Sequence, residues 1–186
     1  MDNKNHIKKA VVKERISTLK AKKFSFEIKR VILPNGHEGT YGSIIHPGAA
    51  LAVPITDKGE VLILRQYRFA VSRYILEFPA GTLEKGETPI NSIKREIQEE
   101  TGYSAKTWDD LGILVPAPGY ADEEIHLFLA RDLSKLKKIP TGDLDEDIEV
   151  LILKPFELDK LFASGKEILD GKTVTAWFRA KQLLKL

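Results

Sequence analysis

Three glutamates fall close together in the middle of the chain. Glu96, Glu99 and Glu100 are spaced i, i+3 and i+4, so on a helix their side chains project from neighbouring positions on one side. Like charges this close weaken an isolated helix by about a few tenths of a kcal/mol per pair. A hard cation such as Mg²⁺, which takes oxygen ligands and bridges carboxylates to phosphates, removes that penalty. The spacing is typical of a metal site or of a solvated glutamate face.

The residues around the glutamates predict the helix that must carry them. Thr88 suits the N-cap and Pro89 the first helical position, where the missing N–H of proline has no helical partner to lose. Gly102 suits the C-terminal stop. Taking about 100° per residue, Glu96 and Glu100 lie about 90° and 55° from the centre of the apolar stripe, at its rim rather than opposite it. That stripe consists of Ile90, Ile93 and Ile97.

The rest of the chain predicts a mixed α/β protein. Apolar residues alternate at the period of half-buried strands around Val11–Leu19 and Phe24–Ile28. Asp57-Lys58-Gly59 predicts a hairpin turn between two richer apolar runs. Further strands are predicted at 39–46, 49–55, 60–66, 108–115, 125–130 and 148–153, and closing helices at 155–164 and 174–184.

The composition of the chain supports a folded domain and excludes several kinds of functional site. The 186 residues are 42% hydrophobic and 30% charged, which supports a packed core. The lack of cysteine excludes thiol nucleophiles, disulfides and thiolate metal sites. No apolar run approaches the roughly 18 residues of a membrane span, and Met1–His6 lacks the apolar stretch of a signal peptide; we expect a cytoplasmic protein with no membrane partner. Residues 1–30 hold ten Lys/Arg against three acids, but no nucleic-acid-binding motif accompanies them, so no nucleic-acid partner is expected.

The segment from Gly81 to Tyr103 resembles the Nudix box, G-x(5)-E-x(7)-R-E-U-x-E-E-x-G-U, in which U is an aliphatic residue. Ile97 fills the first U, and Tyr103 departs from the last one, a position that concerns packing more than chemistry. With residue frequencies of about 5–7% each, seven fixed matches arise by chance about once in 10⁸–10⁹ placements. The seven matching residues are Gly81, Glu87, Arg95, Glu96, Glu99, Glu100 and Gly102.

Membership of the Nudix family implies an α/β/α sandwich with a mixed sheet, on which the box forms a loop–helix–loop. It also implies an enzyme that binds Mg²⁺, with Mn²⁺ as the alternative metal. Arg95 would orient the glutamates by ion pairing and would, with Glu99, belong to the catalytic set, while Glu87 would brace the loop. The implied metal ligands are the backbone carbonyl of Ala80 and the carboxylates of Glu96, Glu99 and Glu100.

Residues outside the box resemble bacterial ADP-ribose pyrophosphatases from about Val11 onward. Arg65-Gln66-Tyr67-Arg68 ends a strand, Glu77-Phe78-Pro79-Ala80 leads into the box, and Pro118 follows Gly102 by sixteen residues. This resemblance implies hydrolysis of ADP-ribose to AMP and ribose 5-phosphate. Two alternatives stay open: a broader nucleoside diphosphate sugar specificity, for example GDP-mannose, and a non-catalytic nucleotide-binding sensor, against which the intact glutamate set argues.

The same resemblance suggests the substrate-binding residues. Arg68 is the candidate phosphate ligand, because a guanidinium pairs bidentately with phosphate, and Arg65 is a second candidate or a surface charge. Glu123, in the loop after Pro118, is a candidate for substrate or dimer contacts. Glu146, in an acid-rich loop before a late strand, is the candidate general base; the alternative is a solvated loop carboxylate.

The N-terminal strands are predicted to form an antiparallel sheet subdomain over residues 1–46, followed by the Nudix hydrolase domain over 47–186. Relatives that the chain resembles dimerise through an N-terminal sheet that also helps to enclose the adenosine. We therefore expect a homodimer. Phe26 or Phe24 is a candidate to stack on the base, an interaction worth about 1–3 kcal/mol, with core packing as the alternative role.

Overall fold

The computed structural model describes residues 9–138, 140, 147–167 and 169–186. Contacts between Cα atoms divide the chain into two compact units. The first consists of Met1–Pro47 and Ala117–Glu123, and the second of Gly48–Pro116 and Glu124–Leu186.

The first unit is a three-stranded antiparallel sheet in the order β1-β2-β3. Its strands are β1 (Val11–Lys20), β2 (Ser25–Ile32) and β3 (Glu38–Ile45). The segment Ala117–Glu123 runs alongside β3: the Ile44 N–H donates to the Tyr120 carbonyl at 2.8 Å, and the Asp122 N–H donates to the Ile44 carbonyl at 3.1 Å. A short stretch of chain from far along the sequence thus extends this sheet.

Strand β1 lies at the other edge of the sheet, and every one of its residues is exposed. Four of those side chains are apolar, namely Val11, Val12, Ile16 and Leu19. An apolar edge strand of this kind is unusual in a chain that has no further partner.

The described residues of the second unit form two sheets, three α-helices and a short 3-10 helix at Phe69–Val71. One sheet is four-stranded in the order β7-β4-β9-β8, and its β4–β9 pair is parallel while the others are antiparallel, so the sheet is mixed. The other sheet is antiparallel in the order β10-β5-β6. The elements are β4 (Ala49–Pro54), β5 (Val61–Arg68), β6 (Arg73–Glu77), β7 (Ala80–Thr82), α1 (Pro89–Thr101), β8 (Tyr103–Leu114), β9 (Ile125–Lys135), β10 (Ile148–Leu153), α2 (Pro155–Ser164) and α3 (Gly171–Leu184).

Alternation along β4 divides the core into two layers. Ala50 and Ala52 pack against Ile93 and Ile97 of α1, and the small alanines let the helix approach the sheet closely. The intervening residues of β4 point the other way, into a larger cluster with β5, α2 and α3. Helix α1 therefore covers one side of the mixed sheet and the remaining elements cover the other, as the predicted α/β sandwich requires.

The predicted helices agree closely with the structure, and α1 begins and ends where Pro89 and Gly102 indicated. Gly102 has φ 72°, and its N–H donates to the Gln98 carbonyl. Thr88 occupies the N-cap position, but its side chain makes no capping hydrogen bond. Among the described residues, no helix combines the length and apolar character that crossing a membrane requires.

The hairpin prediction at Asp57–Gly59 is confirmed at the turn, which an antiparallel bridge between Ile55 and Val61 closes, but the two strands do not pair along their length. The turn forms, since the Thr56 N–H donates to the Glu60 carbonyl at 2.8 Å, but β4 and β5 then enter different sheets. Both strands are almost entirely buried, and each has a neighbour on both sides, β7 and β9 for β4 and β6 and β10 for β5. Strands β6 and β7, which supply two of those neighbours, were not predicted.

Candidate active site

The glutamates of α1 lie against the short strand β7, and Gly81 makes this approach possible. A Cβ built on Gly81 would lie 1.9 Å from Oε1 of Glu96, far inside van der Waals contact. The Ala80 N–H donates to Oε2 of Glu100 at 3.1 Å. Two carboxylates of the helix thus sit directly on the backbone of the Ala80–Gly81 segment.

Arg95 is the centre of this carboxylate cluster. Its Nη1 lies 2.8 Å from Oε1 of Glu96 and 2.9 Å from Oε2 of Glu99. Its Nε and Nη2 each lie 3.4 Å from an oxygen of Glu87. One guanidinium is therefore shared among three carboxylates, and Glu100 lies beside them on the same helix. We call these five residues the box cluster.

Two members of the box cluster, Arg95 and Glu87, stabilise each other in their charged forms. Burial acts to lower the pKa of Arg95, but hydrogen bonds to Glu87 and Glu99 and the charge of Glu96 raise it overall. Burial acts to raise the pKa of Glu87, and the Arg95 hydrogen bonds, with one from the Glu84 backbone, lower it overall. Both groups remain charged at neutral pH.

Hard oxygen donors with surplus negative charge are what a divalent cation such as Mg²⁺ binds, and the box cluster supplies four carboxylates against one guanidinium. The described residues contain no group of three or more acidic or histidine side chains already arranged around a common metal position. In this structure Glu96 and Glu99 turn toward Arg95, and Glu100 accepts from Ala80. The donor chemistry thus fits a divalent cation, and binding one requires these side chains to turn.

A second cluster joins side chains from β5, β6 and the start of α3, and it was not predicted. The Glu77 carboxylate accepts from Arg68 through Nε at 2.5 Å and Nη2 at 2.9 Å. Lys172, in the first turn of α3, donates to the same carboxylate at 2.5 Å and to Asp170 at 3.0 Å. We call these four residues the Glu77 cluster. The Glu77 side chain is only 1% exposed, so its charge depends on these partners.

The pKa shifts agree with a charged Glu77 cluster. Burial acts to raise the pKa of Glu77, but hydrogen bonds and charge from Arg68 and Lys172 outweigh it and hold this pKa below its usual value of 4.5. Burial acts to lower the pKa of Arg68, and Glu77, with a smaller contribution from the charge of Glu100, raises it overall. Since Glu100 contributes, Arg68 lies within electrostatic reach of the box cluster.

Comparison with known proteins identifies the family. Residues 45–178 match the family model described as the NUDIX domain, which spans more than half of the chain. The chain belongs to the Nudix family.

The chain is similar to pyrophosphatases of two different stated specificities and to a protein named as an enzyme activator. The chain is 39% identical over 168 residues to an ADP-ribose pyrophosphatase of Bacillus subtilis, covering 90% of this chain and 89% of the relative. It is 38% identical over 150 residues to a methanol dehydrogenase activator of Bacillus methanolicus, covering 81% and 80%. It is 36% identical over 134 residues to a GDP-mannose pyrophosphatase of Escherichia coli strain K12, covering 68% and 69%.

The fold is also that of a solved structure described as an ADP compounds hydrolase. The two superpose with a TM-score of 0.80 at 24% identity, covering 96% of this chain and 95% of the other. Taken with the Nudix domain and the pyrophosphatase relatives, the predictions of a Nudix α/β fold and of a hydrolase are confirmed.

The structure of this Nudix chain brings together Ala80, Arg95 and the three glutamates that the sequence suggested as metal ligands. It places Arg68 nearby, and Arg65 elsewhere: Arg65 lies 3.2 Å from Glu167 and 3.8 Å from Glu149.

The other two suggested substrate residues belong to the first unit. The ring of Phe26 lies over Gly42, where an added Cβ would approach it to 2.6 Å, and 39% of Phe26 remains exposed. Glu123 lies 3.6 Å from Nδ1 of His46. The suggested general base, Glu146, lies outside the described residues.

Sequence reasoning missed Glu77, Lys172 and Asp170. A signal for Glu77 was present, since it is the one charged residue in the apolar run Tyr74–Ala80, and a charge in such a run must find partners when it is buried. Nothing in the spacing could identify Lys172, which lies 95 residues further along the chain.

Proposed function

We propose that this Nudix hydrolase cleaves the pyrophosphate of ADP-ribose in a Mg²⁺-dependent reaction that yields AMP and ribose 5-phosphate. The observation that carries the proposal is the box cluster, in which three carboxylates contact a single guanidinium and the fourth, Glu100, accepts from the Ala80 N–H. The similarity to the Bacillus subtilis ADP-ribose pyrophosphatase over 90% of the chain supports the substrate.

In this proposal Glu96, Glu99 and Glu100 hold the cation together with the carbonyl of Ala80. Bound Mg²⁺ neutralises pyrophosphate oxygens and lowers the pKa of water. Arg95 keeps the carboxylates close to one another by ion pairing while they exchange partners. Its three short contacts support this positioning role.

The remaining roles concern the substrate and the proton. Water attacks one phosphorus atom, the bridging P–O bond breaks, and the water gives up a proton. Glu146 is proposed as the acceptor of that proton from its position in the sequence alone. Arg68 binds a phosphate group, supported by its partial exposure of 42% and its proximity to Glu100. Arg65 is the weaker candidate, because Glu167 and Glu149 already engage its guanidinium.

A second candidate substrate is GDP-mannose, or a wider range of nucleoside diphosphate sugars. The similarity to the GDP-mannose pyrophosphatase of Escherichia coli favours it. One box cluster serves either substrate, because the family chemistry acts on the shared pyrophosphate and the fold does not select the attached groups.

Initial rates on a substrate panel distinguish the two candidates. ADP-ribose, GDP-mannose, UDP-glucose and diadenosine polyphosphates are each incubated with the protein and MgCl₂, and phosphate is measured after addition of a phosphatase. We expect the highest kcat/KM for ADP-ribose, with AMP and ribose 5-phosphate as products. A higher kcat/KM for GDP-mannose would replace the first candidate by the second, and no turnover of any substrate would overturn both.

We also propose that the chain forms a homodimer through its N-terminal strands. The support is the exposed apolar edge strand β1 of the first unit. Sedimentation of the wild type should give the mass of a dimer, and Leu19→Glu should shift it toward the monomer. Ala163→Glu adds the same charge at an exposed position of α2 in the other unit and should leave the mass unchanged. A wild-type monomer would contradict the proposal. The substrate contacts suggested for Phe26 and Glu123 also remain predictions.

A further inference from the structure

The Glu77 cluster ties three parts of the second unit together. Arg68 is the last residue of β5, Glu77 is the last residue of β6, and Lys172 lies in the first turn of α3. The α3 N-terminus is fixed in turn, because Asp170 caps it by accepting from the Thr173 N–H at 2.8 Å. The cluster therefore forms where the chain leaves β6 on its way to Ala80.

The same residues anchor the segment that leads into the box cluster. The Phe78 N–H donates to Oγ1 of Thr173 at 3.0 Å, and that hydroxyl donates to Asp170 at 2.9 Å. Ala80, two residues after Phe78, donates its N–H to Glu100. Hydrogen bonds thus connect the buried carboxylate of Glu77 to the Phe78 N–H, two residues before the Ala80 N–H that contacts Glu100.

Within this cluster Arg68 differs from its partners. Glu77 is 1% exposed and Lys172 is 18% exposed, whereas 42% of the Arg68 side chain reaches solvent. The Glu77 carboxylate engages the Nε–Nη2 edge of the guanidinium, and the described residues provide no acceptor for Nη1. One edge of the guanidinium is held by a buried carboxylate, and the other is left for a ligand.

Such an arrangement has a physical advantage for binding phosphate. A free arginine side chain has many rotamers, and ordering it on binding weakens affinity. A guanidinium that is already fixed by two short hydrogen bonds loses little further freedom when a phosphate binds its second edge. The charges of Lys172 and Asp170 balance, so the carboxylate is stabilised without adding net charge next to the site.

We propose that Glu77, supported by Lys172, is a positioning residue that fixes the Arg68 guanidinium for a phosphate group of a nucleoside diphosphate substrate. This role rests on the proposed function, in which Arg68 binds phosphate. It assigns to the glutamate that precedes Phe78-Pro79-Ala80 a function beyond packing.

The decisive variant is Glu77→Asp, which keeps the charge but shortens the side chain so that both guanidinium nitrogens cannot be reached at once. We expect KM for ADP-ribose to rise about tenfold, with kcat changed less than threefold, because a phosphate contact present in ground and transition states acts on KM. In an Arg68→Ala background the same change should alter KM less than twofold, since the residue it acts through is gone. An unchanged KM, or equal effects in both backgrounds, would overturn the proposal.

Arg68→Lys provides a second variant in which Glu77 is unchanged and the substituted side chain is partly exposed. Lysine keeps the positive charge but has no second edge once Glu77 binds it, so KM should rise to within threefold of the Arg68→Ala value. A wild-type KM for Arg68→Lys would show that charge alone suffices and would refute the role of Glu77.

Two further measurements separate this proposal from the proposed function. Calorimetric titration with ADP in the presence of EDTA reports phosphate binding without turnover, and Glu77→Asp should weaken ADP binding about tenfold. If the wild type fails to hydrolyse ADP-ribose, the proposed function fails, and the ADP titration still decides the role of Glu77. The control is Asp109→Asn, which removes the carboxylate that accepts from Nε and Nη2 of Arg131. Asp109→Asn should leave both KM for ADP-ribose and the affinity for ADP unchanged. A loss of affinity equal to that of Glu77→Asp would overturn the proposal.

Discussion

Two carboxylate–arginine clusters lie in the second unit, and they are built in opposite ways. The box cluster has four carboxylates, and three of them, Glu87, Glu96 and Glu99, share the guanidinium of Arg95; the side chains of Glu96 and Glu99 are 13% and 26% exposed. In the Glu77 cluster, two carboxylates face two cations, and the central carboxylate is 1% exposed. The box cluster has surplus negative charge, and one guanidinium serves several carboxylates. The Glu77 cluster has equal numbers of positive and negative charges, and its central carboxylate is buried.

In the proposed function, side chains of the box cluster must move to bind a cation, whereas those of the Glu77 cluster must stay in place. A carboxylate that shares its arginine with two others can turn toward a cation with little loss, because the surplus negative charge repels itself until the cation arrives. A buried carboxylate with dedicated partners is costly to disturb, because a lone charge would remain without water. This difference supports the proposed metal binding by the box cluster and the proposed positioning role of Glu77.

The largest expected effect is the difference in the free energy of unfolding between Glu77→Gln and Glu99→Gln, both measured without divalent metal. Glu77→Gln should lower the free energy of unfolding by about 3–5 kcal/mol, because it leaves the largely buried Lys172 and the partly exposed Arg68 facing a neutral amide. Glu99→Gln should change it by less than about 1 kcal/mol, since like-charge repulsion on α1 is relieved as an exposed pair is lost. Urea unfolding measures both, and equal losses would contradict the distinction between the clusters.

The lowered pKa of Glu77 predicts how the stability difference between wild type and Glu77→Gln depends on pH. A carboxyl whose pKa is lower in the folded state adds stability that is present in full above its unfolded pKa. That stability is lost as the pH falls through the folded value. The difference between wild type and Glu77→Gln should therefore be largest at pH 7 and shrink below pH 4.5. A difference that stays constant down to pH 3 would mean that Glu77 is not the titrating group.

A smaller effect is expected for Gly81→Ala, and it should act on activity rather than on folding. The added Cβ displaces the Glu96 carboxylate, a flexible group that can move aside. We expect kcat to fall about 10–100-fold, the loss typical when a group that orients a metal ligand is disturbed, with an unfolding temperature close to that of the wild type. Gly59→Ala, in a turn with open space around it, controls for glycine replacement in the activity assay. Full activity of Gly81→Ala would show that this contact is not needed.

The smallest effect compares the starts of the helices that carry the two clusters. Thr88 makes no side-chain cap at α1, whereas Asp170 accepts from the Thr173 N–H at α3. Thr88→Ala should lower the free energy of unfolding by less than about 0.5 kcal/mol, and Asp170→Ala by at least about 1 kcal/mol. Thermal unfolding of the two variants measures this order, and the reverse order would contradict it.

Sequence reasoning reached the box cluster because its parts are local. The glutamates, Arg95 and Gly102 lie within one helix and its ends, where periodicity and capping rules act. The Glu77 cluster was missed because Arg68, Glu77 and Lys172 meet only through tertiary structure. The strand pairing beyond the Asp57–Gly59 turn was mispredicted for the same reason, since the turn is local but the partners of β4 and β5 are distant strands.

The central proposal for this molecule is that the box cluster holds a divalent cation for pyrophosphate hydrolysis. The direct test measures AMP and ribose 5-phosphate from ADP-ribose as MgCl₂ is titrated, with the wild type, Glu100→Gln and, as a matched control, the exposed Glu84→Gln. Wild type and Glu84→Gln should respond alike to Mg²⁺. Glu100→Gln should lose about two to four orders of magnitude in kcat with its fold intact. Normal turnover by Glu100→Gln, or wild-type turnover that persists without divalent metal, would contradict the account.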